Sequence, residues 1–264
     1  MHVTDPRAEL LEANVSAFLL AMGGAGGGDE RHDAEITWTI GGSPLAYHNA
    51  VVHCDAEGSR SDALIDEWTV ALRARALPGS WHVSPRMRPS DLVDRLLARG
   101  FDDGGDEPAM AADLTVAHDA SPAVERFTCE RVADAASLDA YRQVLAGGFG
   151  EGPPEAEWVA AVFKRIGLGD DVPWRHYVGR RDGAPVSTVT LFLTPPAAGV
   201  YFVCTSPDAR NQGIGAATTQ HSMQEARRLG CTTAVLGSSP MGYGVYARLG
   251  FEVVFRYRIM EWSP

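Results

Sequence analysis

The sequence predicts a layered α+β protein built from two related domains, each a mixed, mostly antiparallel sheet flanked by helices. Three observations lead to this prediction. The 264 residues, of which 45% are apolar, are enough for two domains of about 130 residues each. Runs of β-prone residues alternate with segments of helical periodicity along the chain. The two halves also match each other at a constant offset of 150 residues, which indicates an internal repeat.

The first half begins with a predicted helix over residues 8–22. The glycine-rich run Gly23–Gly28 follows this helix and leads into polar residues. Glycines that cradle phosphate usually follow a strand instead, so this run is predicted to be a flexible loop. The remaining predicted elements of this half are strands over 36–40, 45–54 and 81–83, helices over 61–76 and 89–100, and a strand from 108 that leads into a connector ending at 122.

The second half is predicted to have the same order of elements. The connector before it places the predicted domain boundary so that the domains are residues 1–122 and 123–264. The predicted elements of the second half are strands near 126–131, 174–180, 186–193, 200–205, 233–236 and 251–262, and helices near 135–146, 155–167, 213–229 and 242–249.

The repeat rests on residue matches at a single offset. The matching pairs are Gly100-Phe101 with Gly250-Phe251, Met110 with Met260, Cys54 with Cys204, and Arg60 with Arg210. The copies differ at Gly213 and Gly215, which correspond to Ala63 and Ile65. Side chains at such positions would fill the space that a phosphate group needs at a helix start. We therefore predict that the first domain is a degenerate copy without a cofactor site.

Charge is unevenly distributed between the halves. The net charge is −11, and residues 1–122 account for all of it with 20 acidic and 9 basic residues, whereas residues 123–264 carry 14 of each. A negative field disfavours nucleic acid and attracts cations. This pattern is compatible with simple solubility, and it also favours a cationic small-molecule partner.

Several classes of protein are disfavoured by what the sequence contains. No apolar run approaches the roughly 18–20 residues of a membrane helix, and residues 1–5 do not resemble a secretory signal. We therefore expect a cytoplasmic protein without membrane contact. The four cysteines form no CxxC pair and the eight histidines are scattered, so no metal site is expected and the cysteines are predicted to lie in the core.

One strand–loop–helix segment has the chemistry of an anion site. The predicted strand 200–205 leads through a turn into a helix with Gly213 and Gly215 in its first turn. The first amides of a helix have no internal acceptor, and the helix dipole favours an anion there. The successive amides of Gln212–Ala216 could therefore hold a pyrophosphate.

The same segment carries a resemblance to a known family. Residues Arg210–Gly215 have the pattern Arg-x-x-Gly-x-Gly after a strand, and Tyr246–Phe251 have Tyr-x-x-x-Gly-Phe some 30 residues later. Together they resemble the GNAT acyltransferase superfamily over residues 124–264. The resemblance implies an N-acyltransferase that uses acetyl-CoA or another acyl-CoA as co-substrate, without a metal, and acts on a primary amine.

The resemblance also implies roles for individual residues. The backbone of the strand before the loop would pair with the pantetheine arm like an added strand, and one of its amides could stabilise the oxyanion. Tyr246 would be the catalytic residue, giving a proton to the leaving thiolate or hydrogen-bonding to the sulfur. The implied cofactor-binding residues are Val203, Cys204, Thr205, Arg210, Asn211, Gln212, Gly213, Ile214, Gly215, Ala216 and Ser239.

Two positions depart from the family pattern. Ser239 stands where the family often has asparagine, and its hydroxyl can still donate one hydrogen bond to the pantetheine. The stretch 198–202 contains no carboxylate, although a glutamate there often serves as general base in this family. The base therefore stays open, and the other groups considered are Glu151, Glu155, water, Tyr243 and His176.

The sequence leaves two kinds of function open. The leading hypothesis is transfer of an acetyl or other short acyl group to the amine of a small molecule, with the first domain forming one wall of the acceptor pocket. The alternatives are a non-catalytic acyl-CoA-binding or regulatory protein and a protein N-terminal acetyltransferase. Tyr246 favours an enzyme, whereas the missing base keeps the non-catalytic alternative open. The sequence does not determine the acceptor or the oligomeric state.

Overall fold

A computed structural model describes residues 5–116, 123–150 and 152–264. The chain forms two compact units. The first unit consists of the N-terminal residues up to Ala8, Val15–Ala109 and Val254–Pro264, and the second consists of Glu9–Asn14 and Met110–Val253. The C-terminal segment thus joins the first unit, although the predicted boundary at 122 assigns it to the second domain. That the two sequence halves are related copies stays a prediction.

Helices and strands alternate in the first half as the sequence predicts. The elements are α1 (Arg7–Gly26), β1 (Asp29–His32), β2 (Ile36–Ile40), a short 3-10 helix (Ala46–His48), β3 (Asn49–Cys54), α2 (Ser59–Arg73), β4 (Gly79–Val83), α3 (Leu92–Leu97) and β5 (Asp102–Asp113).

The second half begins with a strand, which two helices follow. The elements are β6 (Phe127–Arg131), α4 (Ala135–Gly148), α5 (Pro153–Ile166), β7 (Trp174–Arg181), β8 (Ala184–Thr194), β9 (Ala197–Thr205), a short 3-10 helix (Pro207–Ala209), α6 (Ile214–Arg228), β10 (Thr233–Gly237), α7 (Tyr243–Arg248) and β11 (Glu252–Trp262).

The sheet of the first unit has the strand order β1-β2-β3-β4-β11-β5. β1, β2 and β3 pair antiparallel, β3 and β4 pair parallel, and β11 pairs antiparallel with β4. The core between this sheet and helices α2 and α3 contains the fully buried side chains of Trp68, Trp81 and Met260. β11 therefore completes a hydrophobic core made mainly from the first half of the sequence.

The sheet of the second unit has the strand order β5-β10-β9-β8-β7-β6. β6 to β9 pair antiparallel and β10 pairs parallel with β9. Met223 of α6 and Tyr246 of α7 pack with Val200 of β9 in one core cluster. The predicted fold class, a mixed and mostly antiparallel sheet flanked by helices, is confirmed.

The glycine-rich run Gly23–Gly28 differs from its prediction. Its first four residues continue α1 to Gly26, and Gly27 ends the helix in the left-handed conformation with φ 80°. Side chains at two of these positions would collide with β2 and the residue after it: a Cβ on Gly23 would overlap Thr39, and one on Gly26 would overlap the carbonyl of Gly41. The glycines thus allow close helix–strand packing, which is a non-local requirement that their local sequence does not reveal.

This packing role gives a test with an internal control. Gly26→Ala is expected to lower the free energy of unfolding by about 2 kcal/mol, because the new Cβ forces the helix away from the Gly41 backbone. Gly24→Ala, two residues earlier in α1 with open space around its Cα, is expected to raise it by about 0.5 kcal/mol through helix propensity. Urea denaturation of both variants measures the difference. Equal effects of the two substitutions would contradict the packing role.

The helices that follow β3 and β9, α2 and α6, do not begin at positions related by the offset of 150 residues. α2 begins directly after Gly58 and α6 directly after Gly213, with loops of four and eight residues before them. Ala63 and Ile65 therefore lie inside α2, and Ile65 is a fully buried core residue. The prediction that Ile65 blocks the position of Gly215 is wrong, because the longer loop before α6 shifts the alignment at this point.

The ends of α3 and α7 do follow the offset of 150. Gly100 and Gly250 end the helices with φ 80° and 89°. In both places the amide of the following phenylalanine donates to the carbonyl four residues before that glycine, at 3.2 Å in α3 and 3.0 Å in α7. The same helix end in both halves supports the proposed duplication.

Candidate functional site

A gap opens in the sheet of the second unit where β9 separates from β10. The register between these parallel strands runs from Ala197 opposite Thr233 to Gly199 opposite Val235, whereas β9 continues to Thr205. On its other side β9 stays paired with β8 as far as Thr205. Backbone groups of β9 beyond Gly199 are therefore available on the β10 side for an added strand-like ligand.

A β-bulge in β9 lies within this free stretch. The register with β8 shifts between Thr188 and Thr190, and Phe202 on the opposite strand has a φ of 51°. This conformation is unusual for an aromatic residue. The side chain of Phe202 is buried against Phe149 and Phe163, and the hydroxyl of Thr188 donates to its carbonyl at 2.8 Å. The bulge redirects the backbone of the last strand residues, and sequence analysis did not predict it.

The loop after β9 turns sharply into α6. Asn211 and Gly213 both adopt the left-handed conformation, with φ of 61° and 79°, which asparagine and glycine tolerate best. The amide of Ala217 donates to the carbonyl of Gly213 at 3.0 Å, so the helical bonding begins there. The preceding amides, those of Gly213 to Ala216, have no acceptor within the helix and provide the positive end of its dipole.

Gly215 brings the first turn of α6 close to the end of β9. A Cβ placed on Gly215 would lie 3.2 Å from the Oγ1 of Thr205, and Ile214 beside it is fully buried. A larger side chain at position 215 would therefore occupy the space between strand end and helix start. This is the kind of bare-backbone cradle that a pyrophosphate requires.

Arg210 contributes to the shape of the loop. Its Nε donates to the carbonyl of Thr205 at 3.1 Å, and its Nη2 donates to the carbonyl of Gly148 at the end of α4 at 2.9 Å. The guanidinium thus connects the strand end, the loop and a neighbouring helix. The Arg210 side chain thus holds the loop in its conformation, whereas the resemblance implied a contact with the cofactor.

The two hydrogen bonds of Arg210 are expected to stabilise the loop measurably. Arg210→Ala is expected to lower the free energy of unfolding by about 1–3 kcal/mol, because two carbonyls lose a charged hydrogen-bond donor. The matched control is Arg227→Ala, which removes an exposed arginine near the end of α6 and should change stability by at most about 0.5 kcal/mol. Chemical denaturation compares the two variants. Similar stabilities would show that the Arg210 contacts do not hold the loop.

The other residues of the segment use their side chains locally. The amide of Gln212 donates to the Asp208 carbonyl at 3.0 Å, and its oxygen accepts from Arg181. Cys204 points toward α4, where its thiol donates to the carbonyl of Val144 at 3.5 Å. Burial raises the pKa of this thiol to about 12. Cys204 can therefore serve a ligand in the gap only through its backbone.

Tyr246 on α7 is almost fully buried, at 8% exposure. Its ring contacts Phe251 with centroids 5.9 Å apart and covers Gly242, where a Cβ would lie 2.6 Å from the tyrosine ring. Among the described residues, its hydroxyl has no hydrogen-bond partner. Burial raises the pKa of Tyr246 to about 12, so the phenol keeps its proton at neutral pH. Such a phenol can donate a hydrogen bond to a leaving thiolate, which is one of the two predicted roles, whereas complete transfer of its proton to a thiolate is uphill because a thiol is the stronger acid.

Ser239 lies after β10, before the start of α7. It is exposed, and its Oγ accepts a hydrogen bond from the amide of Gly242 at 3.2 Å. Its carbonyl accepts from the amides of Gly242 and Tyr243 at 3.1 Å each. Ser239 thus shapes the turn that precedes Tyr246, and its hydroxyl hydrogen stays available to a ligand.

The groups considered as general base differ in their surroundings. Glu151 lies outside the described residues. Glu155 is 5% exposed near the start of α5. His176 is fully buried, with Nδ1 2.8 Å from the Oγ1 of Thr190, and burial lowers its pKa to about 3. Tyr243 is 40% exposed. The general base stays unassigned.

Sequence reasoning missed the role of Asn14, which α1 contributes to the second unit. Its side-chain amide donates to the carbonyl of Phe192 at 3.1 Å and to the Oγ1 of Thr194 at 2.7 Å, while its oxygen accepts from the hydroxyl of Tyr201 at 2.7 Å. Asn14 thereby fixes Tyr201 on the free stretch of β9. The sequence gives no clear signal of this role, because α1 also contains charged residues such as Glu12. The role is evident from the complete burial of the hydrogen-bonded Asn14 side chain.

The start of α2 differs from that of α6 in charge. Asp62 lies in the first turn of α2, and Arg60 of that turn is bound to Glu35 in an ion pair of 2.5 Å. The first turn of α6 contains no acidic residue. A negative group at a helix start repels a pyrophosphate. Asp62 is itself paired with Arg95 at 2.9 Å and with Arg99 at 3.2 Å, so the absence of a cofactor site in the first copy stays a prediction.

Two structural findings concern metals and membranes. Within the described ranges 5–116, 123–150 and 152–264, no three His, Cys, Asp or Glu side chains are grouped so that they could hold a metal ion. No helix in the same ranges has both the length and the apolar character needed to cross a bilayer.

Comparison with known families identifies the segment that contains this site. Residues 138–251 match the model of the Acetyltransferase (GNAT) family. The second half of the chain contains a GNAT-family domain. The matched range includes β9, the loop Arg210–Gly213, the start of α6 and Tyr246. GNAT enzymes use acetyl-CoA, and the bare-backbone cradle at Gly215 and the free edge of β9 fit that co-substrate.

Solved structures and one curated protein extend the comparison. A GCN5-related N-acetyltransferase from Kribbella flavida has a TM-score of 0.69 at 17% identity, covering 95% of each chain. A tandem GNAT protein from the clavulanic acid biosynthesis pathway has a TM-score of 0.58 at 16% identity, covering 89% of this chain and 78% of its own. At these identities the likeness shows the GNAT fold alone.

The curated relative is a mycothiol acetyltransferase from Corynebacterium jeikeium (strain K411). It is 43% identical over 58 residues, which are 21% of this chain and 17% of that protein. The match thus spans about a sixth of the relative's length. It supports acyl transfer from acyl-CoA in general, consistent with the GNAT domain.

Proposed function

We propose that this GNAT domain transfers an acetyl group from acetyl-CoA to a primary amine of a small, cationic acceptor molecule. The observation that carries the proposal is that the second unit combines three features. The edge of β9 is free beyond Gly199, glycines open the start of α6 at Gly213–Gly215, and Tyr246 is buried and protonated.

Backbone groups would make most of the contacts with acetyl-CoA. The amides of Gly213–Ala216 would hold the pyrophosphate, because they have no helical acceptor and lie at the positive end of the dipole. The β9 backbone at Val203, Cys204 and Thr205 would pair with the pantetheine arm as an added strand. Asn211 and Arg210 would act through the loop conformation, and Ser239 would donate a hydrogen bond through its free hydroxyl hydrogen.

The proposed chemistry gives a role to one proton, that of the Tyr246 phenol. Acetyl-CoA, when bound, supplies the acetyl group as a thioester. Tyr246 would keep its proton, because burial raises the pKa of its phenol to about 12, and would donate a hydrogen bond from that phenol to the departing sulfur. Complete transfer of the proton is disfavoured, since a thiol is a stronger acid than a phenol. The acceptor must arrive at the gap as a neutral amine, and the residue that removes its proton is not assigned.

The acceptor class rests on two supports. The first half of the sequence carries the whole net charge of −11, which concentrates cationic molecules near the protein. The second support is the name of the curated relative, mycothiol acetyltransferase, although the matched stretch is short. The charge favours a cationic acceptor, and the name of the relative favours a small molecule over a protein N-terminus.

A turnover screen tests the proposed function directly. The full chain is incubated with acetyl-CoA and a panel of amines comprising diamines, amino sugars, amino acids and an N-terminal peptide, and free CoA release is followed with a thiol reagent. We expect turnover with at least one small cationic amine above the rate without acceptor. Binding of acetyl-CoA without turnover on any amine would favour the non-catalytic alternative, and turnover confined to the peptide would contradict the small-molecule acceptor.

A further inference from the structure

A cluster of polar and aromatic side chains lies within the first unit. Its members are Tyr47 of the 3-10 helix, His82 of β4, Glu107 of β5 and Tyr257 of β11. The hydroxyl of Tyr47 donates to Oε1 of Glu107 at 3.2 Å. The Tyr47 ring lies 4.4 Å from the imidazole of His82, which lies 6.2 Å from the ring of Tyr257. These four side chains form what we term the Glu107 cluster.

Glu107 has no countercharge. The neighbouring Asp103 and Asp106 on β5 are paired with Arg258, whereas Glu107 makes no ion pair with any of the described residues. The carboxylate is half-buried, and burial raises its pKa to about 7 while the hydrogen bond from Tyr47 acts in the opposite direction. An enclosed carboxylate without a cation is costly when ionised, so a ligand that supplies positive charge would be favoured there.

His82 does not supply the missing charge. Its side chain is fully buried, and burial lowers its pKa to about 3, so the imidazole is neutral at physiological pH. Its Nε2 lies 3.0 Å from the Oγ of Ser80, whose own hydrogen is donated to the carbonyl of Ala46 at 3.1 Å. The proton of His82 is therefore on Nε2. Its Nδ1 is buried and makes no further hydrogen bond of good geometry with the described residues.

The exposures within the cluster show which groups a ligand can reach. Tyr47 and Glu107 are both half-buried, whereas His82 and Tyr257 are buried at 0% and 3% exposure. A ligand that approaches from solvent would therefore meet the Tyr47 and Glu107 side chains before the two buried ones. An aromatic face beside a carboxylate is the chemistry that recognises an organic ammonium ion, through a charged hydrogen bond and cation–π attraction.

We propose that the Glu107 cluster is a binding site for a small organic cation carrying a primary ammonium group. The ammonium would donate to Glu107, and its apolar substituent would lie against Tyr47. The site belongs to the first unit and goes beyond the acetyl transfer proposed for the GNAT domain. Binding can be measured without acetyl-CoA, so its failure would leave the proposed function standing, and the reverse also holds.

The probe is benzylammonium chloride, with benzyl alcohol as its neutral counterpart. Amide signals of the full chain are followed by two-dimensional NMR at constant ionic strength and pH 8. We expect benzylammonium to shift the amides of Tyr47, His82 and Glu107 in a saturable manner with a Kd in the range of about 0.1–10 mM. Benzyl alcohol should bind at least about tenfold more weakly, since it lacks the charge.

A pair of variants with the same change in net charge makes the test specific. Glu107→Gln keeps the size of the side chain and removes the enclosed charge, so the fold is retained, and benzylammonium should bind at least about tenfold more weakly. Glu57→Gln removes an exposed carboxylate of the same unit and should leave the Kd unchanged. Tyr47→Phe keeps the ring and should weaken binding by no more than about threefold.

Three results would overturn the site. Equal weakening by Glu107→Gln and Glu57→Gln would reduce the effect to general attraction by the acidic half. Benzyl alcohol binding as tightly as benzylammonium would show that charge is not recognised. The absence of any saturable shift at the three amides would show that the Glu107 cluster is not a ligand site.

Discussion

Gly215→Ile is expected to weaken acetyl-CoA binding by at least about 100-fold, which corresponds to about 2.7 kcal/mol. A Cβ at this position already lies 3.2 Å from the Oγ1 of Thr205. The branched side chain must therefore extend into the space in front of the first helical amides, where the pyrophosphate would lie. The effect should be graded, because Gly215→Ala adds only the Cβ and is expected to weaken binding by no more than about tenfold.

The measurement is the rise in melting temperature of each variant at saturating acetyl-CoA, together with calorimetric Kd values. The matched control is Gln224→Ile, which adds the same branched side chain on the exposed face of α6. This control should bind acetyl-CoA like the unaltered chain. If Gly215→Ile and Gln224→Ile bind equally well, the cofactor site at the start of α6 is wrong.

Tyr246→Phe is expected to lower kcat by about 10- to 1000-fold while leaving KM for acetyl-CoA within about threefold. The substitution removes only the hydroxyl, so the ring still packs against Phe251 and covers Gly242. Because burial raises the pKa of Tyr246 to about 12, the phenol of the unaltered enzyme stays protonated from neutral pH to about pH 10. Ionisation of Tyr246 should therefore cause no loss of kcat in that range.

Tyr243→Phe is the control for this prediction. It removes a hydroxyl from the same short helix at a position that is 40% exposed, and its kcat should equal that of the unaltered chain. Steady-state kinetics with the amine found in the turnover screen provide the comparison. Full turnover by Tyr246→Phe at neutral pH would remove Tyr246 as an obligatory proton donor.

Local patterns in the sequence were sufficient to predict much of the site. A β-prone run followed by two closely spaced glycines predicts β9, its loop and the start of α6, because strand propensity and the bare helix start both depend on neighbouring residues. The end of α7 at Gly250 is likewise a local signal. The fold class followed from the alternation of such elements.

What could not be predicted depends on contacts between distant parts of the chain. Glycine is needed at Gly23 and Gly26 near the end of α1 because Thr39 and Gly41 lie against them. The membership of β11 in the first unit depends on its pairing with β4. The sequence shows no trace of either contact.

The sequence motif also does not show which contacts its individual side chains make. Arg210 matches the family pattern by type, yet its guanidinium binds two carbonyl groups of the protein itself. The bulge at Phe202 depends on the helices that bury its ring. The alignment of Ile65 with Gly215 failed because the loop before α6 is four residues longer than the loop before α2. Each of these facts requires the folded backbone.

Hydrogen exchange of the full chain with and without acetyl-CoA tests the location of the cofactor site most directly. The amides of the free stretch of β9 and of the first turn of α6 would become donors to the co-substrate, so their exchange should slow on binding. We predict that protection is concentrated in peptides covering 200–217 and is absent from peptides covering 54–65. Protection around 54–65, or none in 200–217 when acetyl-CoA is bound, would contradict a cofactor site in the second unit.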